Sequence, residues 1–223
     1  MNANSRLRFF VLPATAFLLI FALGCKLGPS HERREEKSSA SSAASKNSND
    51  FDLNLNCVIE SIQNPTESFH YTYKKDTDDD NLLQDADITP DTITGSSKNK
   101  YATREIKGAK SDKESWQSAW TGLMAISGMS STIALVNHSS AMVREGMGKM
   151  NGYDAAQYSI DTSRGNTAEA GLYKATLGDG GFEKGTVWVN AKGCPVNLSL
   201  DSEMHLNNGS VSKQHYEIQM LKK

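Results

Sequence analysis

The chain has 223 residues, with 24 Lys+Arg against 26 Asp+Glu, three cysteines and a formal charge of −2. This near-neutral balance carries no basic stripe, which excludes nucleic acid as a partner, because phosphate binding needs clustered Lys and Arg. Beyond the first apolar run no segment approaches the ~20 residues that span a bilayer.

That first run sets the address. Arg6 and Arg8 precede apolar residues from Phe9 to Leu23, and the run ends Ala22-Leu23-Gly24-Cys25. The charge and length are those of an export signal. Its ending resembles the lipobox of bacterial lipoproteins. The resemblance implies that residues 1–24 are a signal peptide removed before Cys25. The Cys25 thiol then takes a diacylglycerol, the new amino terminus an acyl chain such as palmitate, and these chains hold the membrane. Each buried methylene contributes about 0.8 kcal/mol to that hold. Lys26 stands where an inner-membrane retention aspartate would stand, so the periplasmic face of an outer membrane is the expected site in a Gram-negative envelope. Cleavage lowers the basic count from 24 to 22 against 26 acids, leaving a net charge of about −4.

Residues 25–50, rich in Ser, Ala, Glu and Lys, have little apolar surface to bury and read as a disordered tether. A coil of that length has a root-mean-square reach of about 25–30 Å. One folded domain is expected over 51–223. With Cys25 lipidated, Cys57 and Cys194 remain, an even number in an oxidising compartment. A disulfide between them and a pair of buried free thiols are the two alternatives.

Phe69, Tyr71 and Tyr73 alternate with Ser68, His70 and Thr72, which predicts a half-buried strand over 67–75. Residues 82–94 carry a weaker apolar pattern, and 101–106 predict a short strand closed by Gly108. After the 67–75 strand, Asp76, Asp78 and Asp80, with Asp87 at the twelfth place, resemble an EF-hand calcium loop. Asn81 replaces its turn glycine, and a polar hairpin loop is the alternative. Calcium is the one cofactor these residues suggest; otherwise none is expected.

Ser111 and Glu114 form a capping-box pattern that predicts a helix from 111 to 127, with Trp116, Trp120 and Leu123 on one stripe. A second helical stretch is expected from Ser130 to Val136. Strands are then predicted over 141–149 and 153–161, joined by an Asn151-Gly152 turn. In the second of these, Tyr158 and Ile160 share a face with Ala156. A short strand is expected over 170–177 and another from 185 to 191, with a turn at Lys192-Gly193. Leu198 and Leu200 sit in an alternating run from Val196 to Leu206. Tyr216, Ile218 and Met220 mark the last strand.

No catalytic arrangement stands out. His70, His138, His205 and His215 lack metal-ligand spacing, and there is no nucleophile elbow or phosphate-cradling glycine loop. The chain reads as a non-enzyme, with an envelope hydrolase as the least favoured alternative.

The hairpin from Val143 to Asp161, with Asn151-Gly152 at its turn, resembles one found in lipoprotein carriers of the LolA and LppX/LprG type. The stretch Gly185-Thr-Val-Trp188-Val-Asn-Ala-Lys-Gly193-Cys-Pro195-Val is similar to their following hairpin. The resemblance implies an α+β fold: a strongly curved antiparallel sheet, an incomplete β-barrel, with one or two helices packed on the concave face. It also implies that a lipid or other apolar ligand lies between sheet and helices. Phe69, Tyr71, Tyr73, Trp116, Trp120, Leu123, Tyr158, Ile160, Leu198, Leu200, Tyr216 and Ile218 are the candidate lining. The same residues would also make a solid core, and a solid core would point instead to a structural or assembly lipoprotein docking an envelope protein.

Overall fold

A computed structural model describes residues 53–124, 136–137 and 139–223. The signal peptide, Cys25, the tether over 25–50, His138 and the helical stretch expected from Ser130 as far as residue 135 lie outside the described residues.

Among the described residues nine antiparallel strands form one open, curved sheet. In chain order they are β1 (Phe69–Thr77), β2 (Asn81–Ile88), β3 (Thr92–Asn99), β4 (Thr103–Ala109), β5 (Met142–Met150), β6 (Tyr153–Asp161), β7 (Phe182–Asn190), β8 (Pro195–His205) and β9 (Val211–Lys222). The spatial order is β4-β3-β2-β1-β9-β8-β7-β6-β5. Two meanders are therefore stitched together by the pairing of β1 with β9, the first strand with the last. Among the described residues three helices of four residues or more accompany the sheet: α1 (Asn56–Gln63), α2 (Lys113–Gly122) and α3 (Thr167–Leu177).

Alternation decides which side of the sheet is covered. Phe69, Tyr71 and Tyr73 of β1, Tyr158 and Ile160 of β6, Leu198 and Leu200 of β8, and Tyr216 and Ile218 of β9 are all buried on the inner face. The outer face carries His70, Thr72, Lys74 and Asp76 on β1 and His215 and Glu217 on β9. With period two along each strand, a slip of one residue would turn the aromatic set to water, so this burial fixes the register. The Asn151-Gly152 turn has φ values of 55° and 85°, the paired positive angles of a tight hairpin turn, which explains why these two residue types stand there.

The helices differ from expectation in three places. Asp112, not Ser111, caps α2; its carboxylate accepts the Glu114 and Ser115 amides. The segment expected as a strand over 170–177 is instead α3, opened by a capping box of Asn166 and Glu169. The glycines of this stretch masked its helical character, although Gly171 faces open space. The third difference is α1, over a stretch whose sequence predicts no element. Its buried residues Val58 and Ile62 lie four apart on one face.

Candidate functional site

On the inner face, α1 works as a strap. At its start the Asn54 amide donates to the Gly193 carbonyl (3.2 Å), and Cys57 is bonded to Cys194 with Cα atoms 5.5 Å apart. At its end the Gln63 carbonyl accepts from Trp116 Nε1 (3.3 Å) and Lys110 Nζ (2.9 Å). The strap thus runs from the β7–β8 turn to α2.

α2 lies directly on the sheet. A Cβ placed on Gly108 of β4 would stand 2.8 Å from Ala119 Cβ and 2.9 Å from the Ser115 carbonyl, so only glycine permits this approach. Gln84 of β2 donates to the Gly122 carbonyl at 2.7 Å. Leu123 is fully buried, Trp116 is buried and Trp120 is partly buried against the core. All twelve candidate lining residues are brought together, as side chains packed in one core.

Three polar atoms in that core stand out among the described residues. Tyr71 Oη, Gln84 Oε1 and Trp120 Nε1 are buried without a hydrogen-bond partner. Burial pushes the Tyr71 hydroxyl pKa well up, with Tyr73 adding to the effect. Sequence reasoning also missed Glu183, which is fully buried. Ser202 Oγ lies 3.4 Å from its Oε1. The available signal was parity: Glu183 shares the inward phase of Val187 and Val189 on β7.

The acidic cluster does not converge. Register pairs Asp76 with Asn81 but Asp87 with His70, six rows further along the β1–β2 hairpin. At about 3.3 Å per residue the two ends are about 20 Å apart. Asp76 holds Lys74 (2.7 Å), Asp78 accepts the Lys213 amide (3.1 Å), and Asp80 accepts the Asn81 amide (2.9 Å). Asp87 lies 2.8 Å from His70 Nδ1 and also holds Lys223. Hydrogen bonds from Lys223 and then His70 keep its pKa below the usual carboxylate range. The EF-hand-like spacing is therefore corrected to a strand hairpin, whose length carries Asp87 away from the other three carboxylates. Among the described residues no group of three His, Cys, Asp or Glu could hold a metal ion.

The outer face near these aspartates is an ordered charge lattice. His215 Nδ1 lies 2.7 Å from Asp201 and Nε2 lies 2.9 Å from Glu217. Glu217 also meets Lys74 at 3.9 Å. Next to them is an open groove of about 490 Å³, lined by Asp76, Asp78, Phe182, Lys184, Glu203 and Lys213 among others. Partial burial of His215 disfavours its charged form, but the bonds and charges of Glu217 and Asp201 outweigh this, and its pKa is raised above 6.5. A raised histidine pKa adds stability at low pH that is lost as pH rises through the folded-state value. His215→Gln should therefore cost a few tenths of a kcal/mol, the scale of an exposed ion pair, at pH 5.5 and less at pH 9. Urea midpoints of both proteins at the two pH values check this; an equal loss at both would show that the charge contributes nothing.

No protein-family model matches this chain, and no curated protein sequence does. Among solved structures, it is similar to MucB in complex with MucA(peri), with 11% identity and a TM-score of 0.29, over 75% of this chain and 54% of that one. The Pseudomonas aeruginosa MucA/MucB complex gives 11% identity and a TM-score of 0.27, over 74% and 55%. MucB alone gives 12% and 0.26, over 75% and 57%. The chain spans little more than half the length of these proteins.

Proposed function

We propose that this chain is a lipid-anchored envelope protein whose folded domain works without catalysis, as a docking module for a protein partner. The supporting observation is the close seat of α2 on β4 at Gly108, where an acyl chain would need open space. The surface offered to a partner is the outer edge of β5, which among the described residues pairs with β6 alone. Alternate residues along this nine-residue strand turn their backbone N–H and C=O groups outward, where an added strand can pair with them, and Met147 projects from that edge 63% exposed. Arg144, Glu145 and Lys149 flank it and restrict promiscuous edge pairing.

A photo-crosslinking residue at Met147 is expected to give one discrete protein adduct in intact cells. The same group at Leu172 on α3, itself 50% exposed, is expected to give none. Equal yields at both positions, or no adduct at Met147, overturn the reading.

Lipid carriage is the second reading, supported by the unpartnered Tyr71, Gln84 and Trp120 atoms, which a polar headgroup could satisfy. Native mass spectrometry separates the two. A bare protein supports docking, and a co-purifying lipid removed by mutation of Tyr71 supports carriage.

A further inference from the structure

The outer face changes character from one end to the other. On β1, β2, β8 and β9 its charged side chains bind one another, as His70, Lys74 and His215 do with their carboxylates. In the two rows across β6, β7 and β8 that hold Trp188 and its neighbour Thr186, the outward residues are instead Gln157, Ser159, Thr186, Trp188, Asn197 and Ser199, all uncharged; charge returns one row further on, at Asp161, Lys184 and Asp201.

Trp188 is the centre of this region. Register places Gln157 and Asn197 directly across from it on β6 and β8, and continues the row to Gln219 on β9 and Thr72 on β1. The indole reaches sideways across β6: a Cβ on Gly148 of β5 would lie 3.2 Å from Trp188 Cζ3 and 3.4 Å from Cη2. Ala155, beneath that path, is fully buried although it has the outward parity of Gln157. A Cβ on Gly146 would meet nothing within 4 Å, so the edge beside the ring is open. The result is a flat apolar plate, partly exposed, set into a polar sheet.

No side-chain hydrogen bond within the described protein occupies Gln157, Asn197, Gln219, Thr72 or the Trp188 indole. Their donors and acceptors are free for a ligand. An indole plate binds the C–H face of a pyranose ring, and flanking amides donate to and accept from its hydroxyls. Rows on adjacent strands repeat at about 4.8 Å, close to the rise of one sugar in an extended β-linked chain. An uncharged patch complements a neutral ligand; a lipid headgroup or nucleic acid would need cations here.

We propose that the outer face around Trp188 binds a neutral β-linked glycan chain of hexose or N-acetylhexosamine units, laid across β6, β7 and β8. This site lies on the opposite side of the sheet from the core and borders the β5 edge at Gly148.

The test is calorimetric titration of the full chain, in a sugar-free detergent, with cellohexaose and with chitohexaose. Binding of at least one glycan is expected with a dissociation constant of about 0.1–1 mM, unchanged between low and high salt because no counterions are released. Binding to one glycan alone identifies the sugar class. Trp188→Ala should weaken binding at least tenfold. The double variant Gln157→Ala/Asn197→Ala, which keeps the ring and removes no internal hydrogen bond, should weaken it several-fold even if the tryptophan variant folds poorly. Absence of binding to either glycan at millimolar concentration overturns the proposal, as does undiminished binding by the double variant.

Discussion

Replacing Cys57 and Cys194 together by serine should lower the unfolding free energy by about 3–5 kcal/mol, measured by urea denaturation under non-oxidising conditions for the variant and non-reducing conditions for the wild type. The bond joins residues 137 positions apart, so in the chain-entropy picture it restricts most of the unfolded domain. Local structure adds to the effect. The N-cap residue of α1, Leu55, makes no side-chain cap bond, and an eight-residue helix is unstable by itself in water. What keeps α1 in place at that end is the disulfide, the Asn54–Gly193 bond, and the reciprocal pair between Leu53 and the Asn137 side chain at 3.0 and 3.2 Å. The variant should also open first at the strap, giving early proteolytic cleavage between residues 53 and 66. A loss below about 1 kcal/mol would mean that the remaining hydrogen bonds and the buried Val58 and Ile62 hold α1 without the disulfide.

The antiparallel sheet was legible because its signal is local. Alternating aromatics in β1, the run Val196 to Leu206, and the Asn151-Gly152 turn each need only a few neighbouring residues to be read. The pairing of β1 with β9 was not legible, since nothing in either strand names its partner. α3 does not read as a helix because Gly171 sits inside it, and a glycine there weakens the helix signal. Its helix signal lies in the Asn166 and Glu169 pair, and Ser140, from a distant loop, bonds the same Glu169 carboxylate. The acidic loop was misread for a related reason. Spacing along a chain predicts convergence only when the backbone curls, and a strand hairpin sends Asp87 away from Asp76. The lining residues were found by periodicity, yet periodicity cannot separate a packed core from a cavity wall. That distinction depended on Gly108, whose missing side chain lets α2 settle against the sheet. Trp188 reads as part of its hairpin, but the lie of its ring depends on Gly148 two strands away.

Truncating Ile218 is the direct test of a filled interior. Ile218 is fully buried between Tyr73 on β1 and Leu198 on β9's other neighbour, β8. In a close-packed core, Ile218→Ala removes transfer free energy and leaves a void its neighbours only partly fill, at a cost of about 2–5 kcal/mol. On the wall of a lipid cavity the same change mainly enlarges an existing space, and the cost falls to about 1 kcal/mol or less, because few packing contacts are lost. The two cases also differ in probe binding. A packed wild type should leave a small apolar dye such as N-phenylnaphthylamine dark, while the variant, with a new dry void lined by apolar side chains, should gain affinity for a benzene-sized guest. A carrier shows the reverse order, with the wild type already bright and the variant little changed. A large destabilisation with a dark wild type therefore supports docking, and a small one with a bright wild type returns the inner face to lipid.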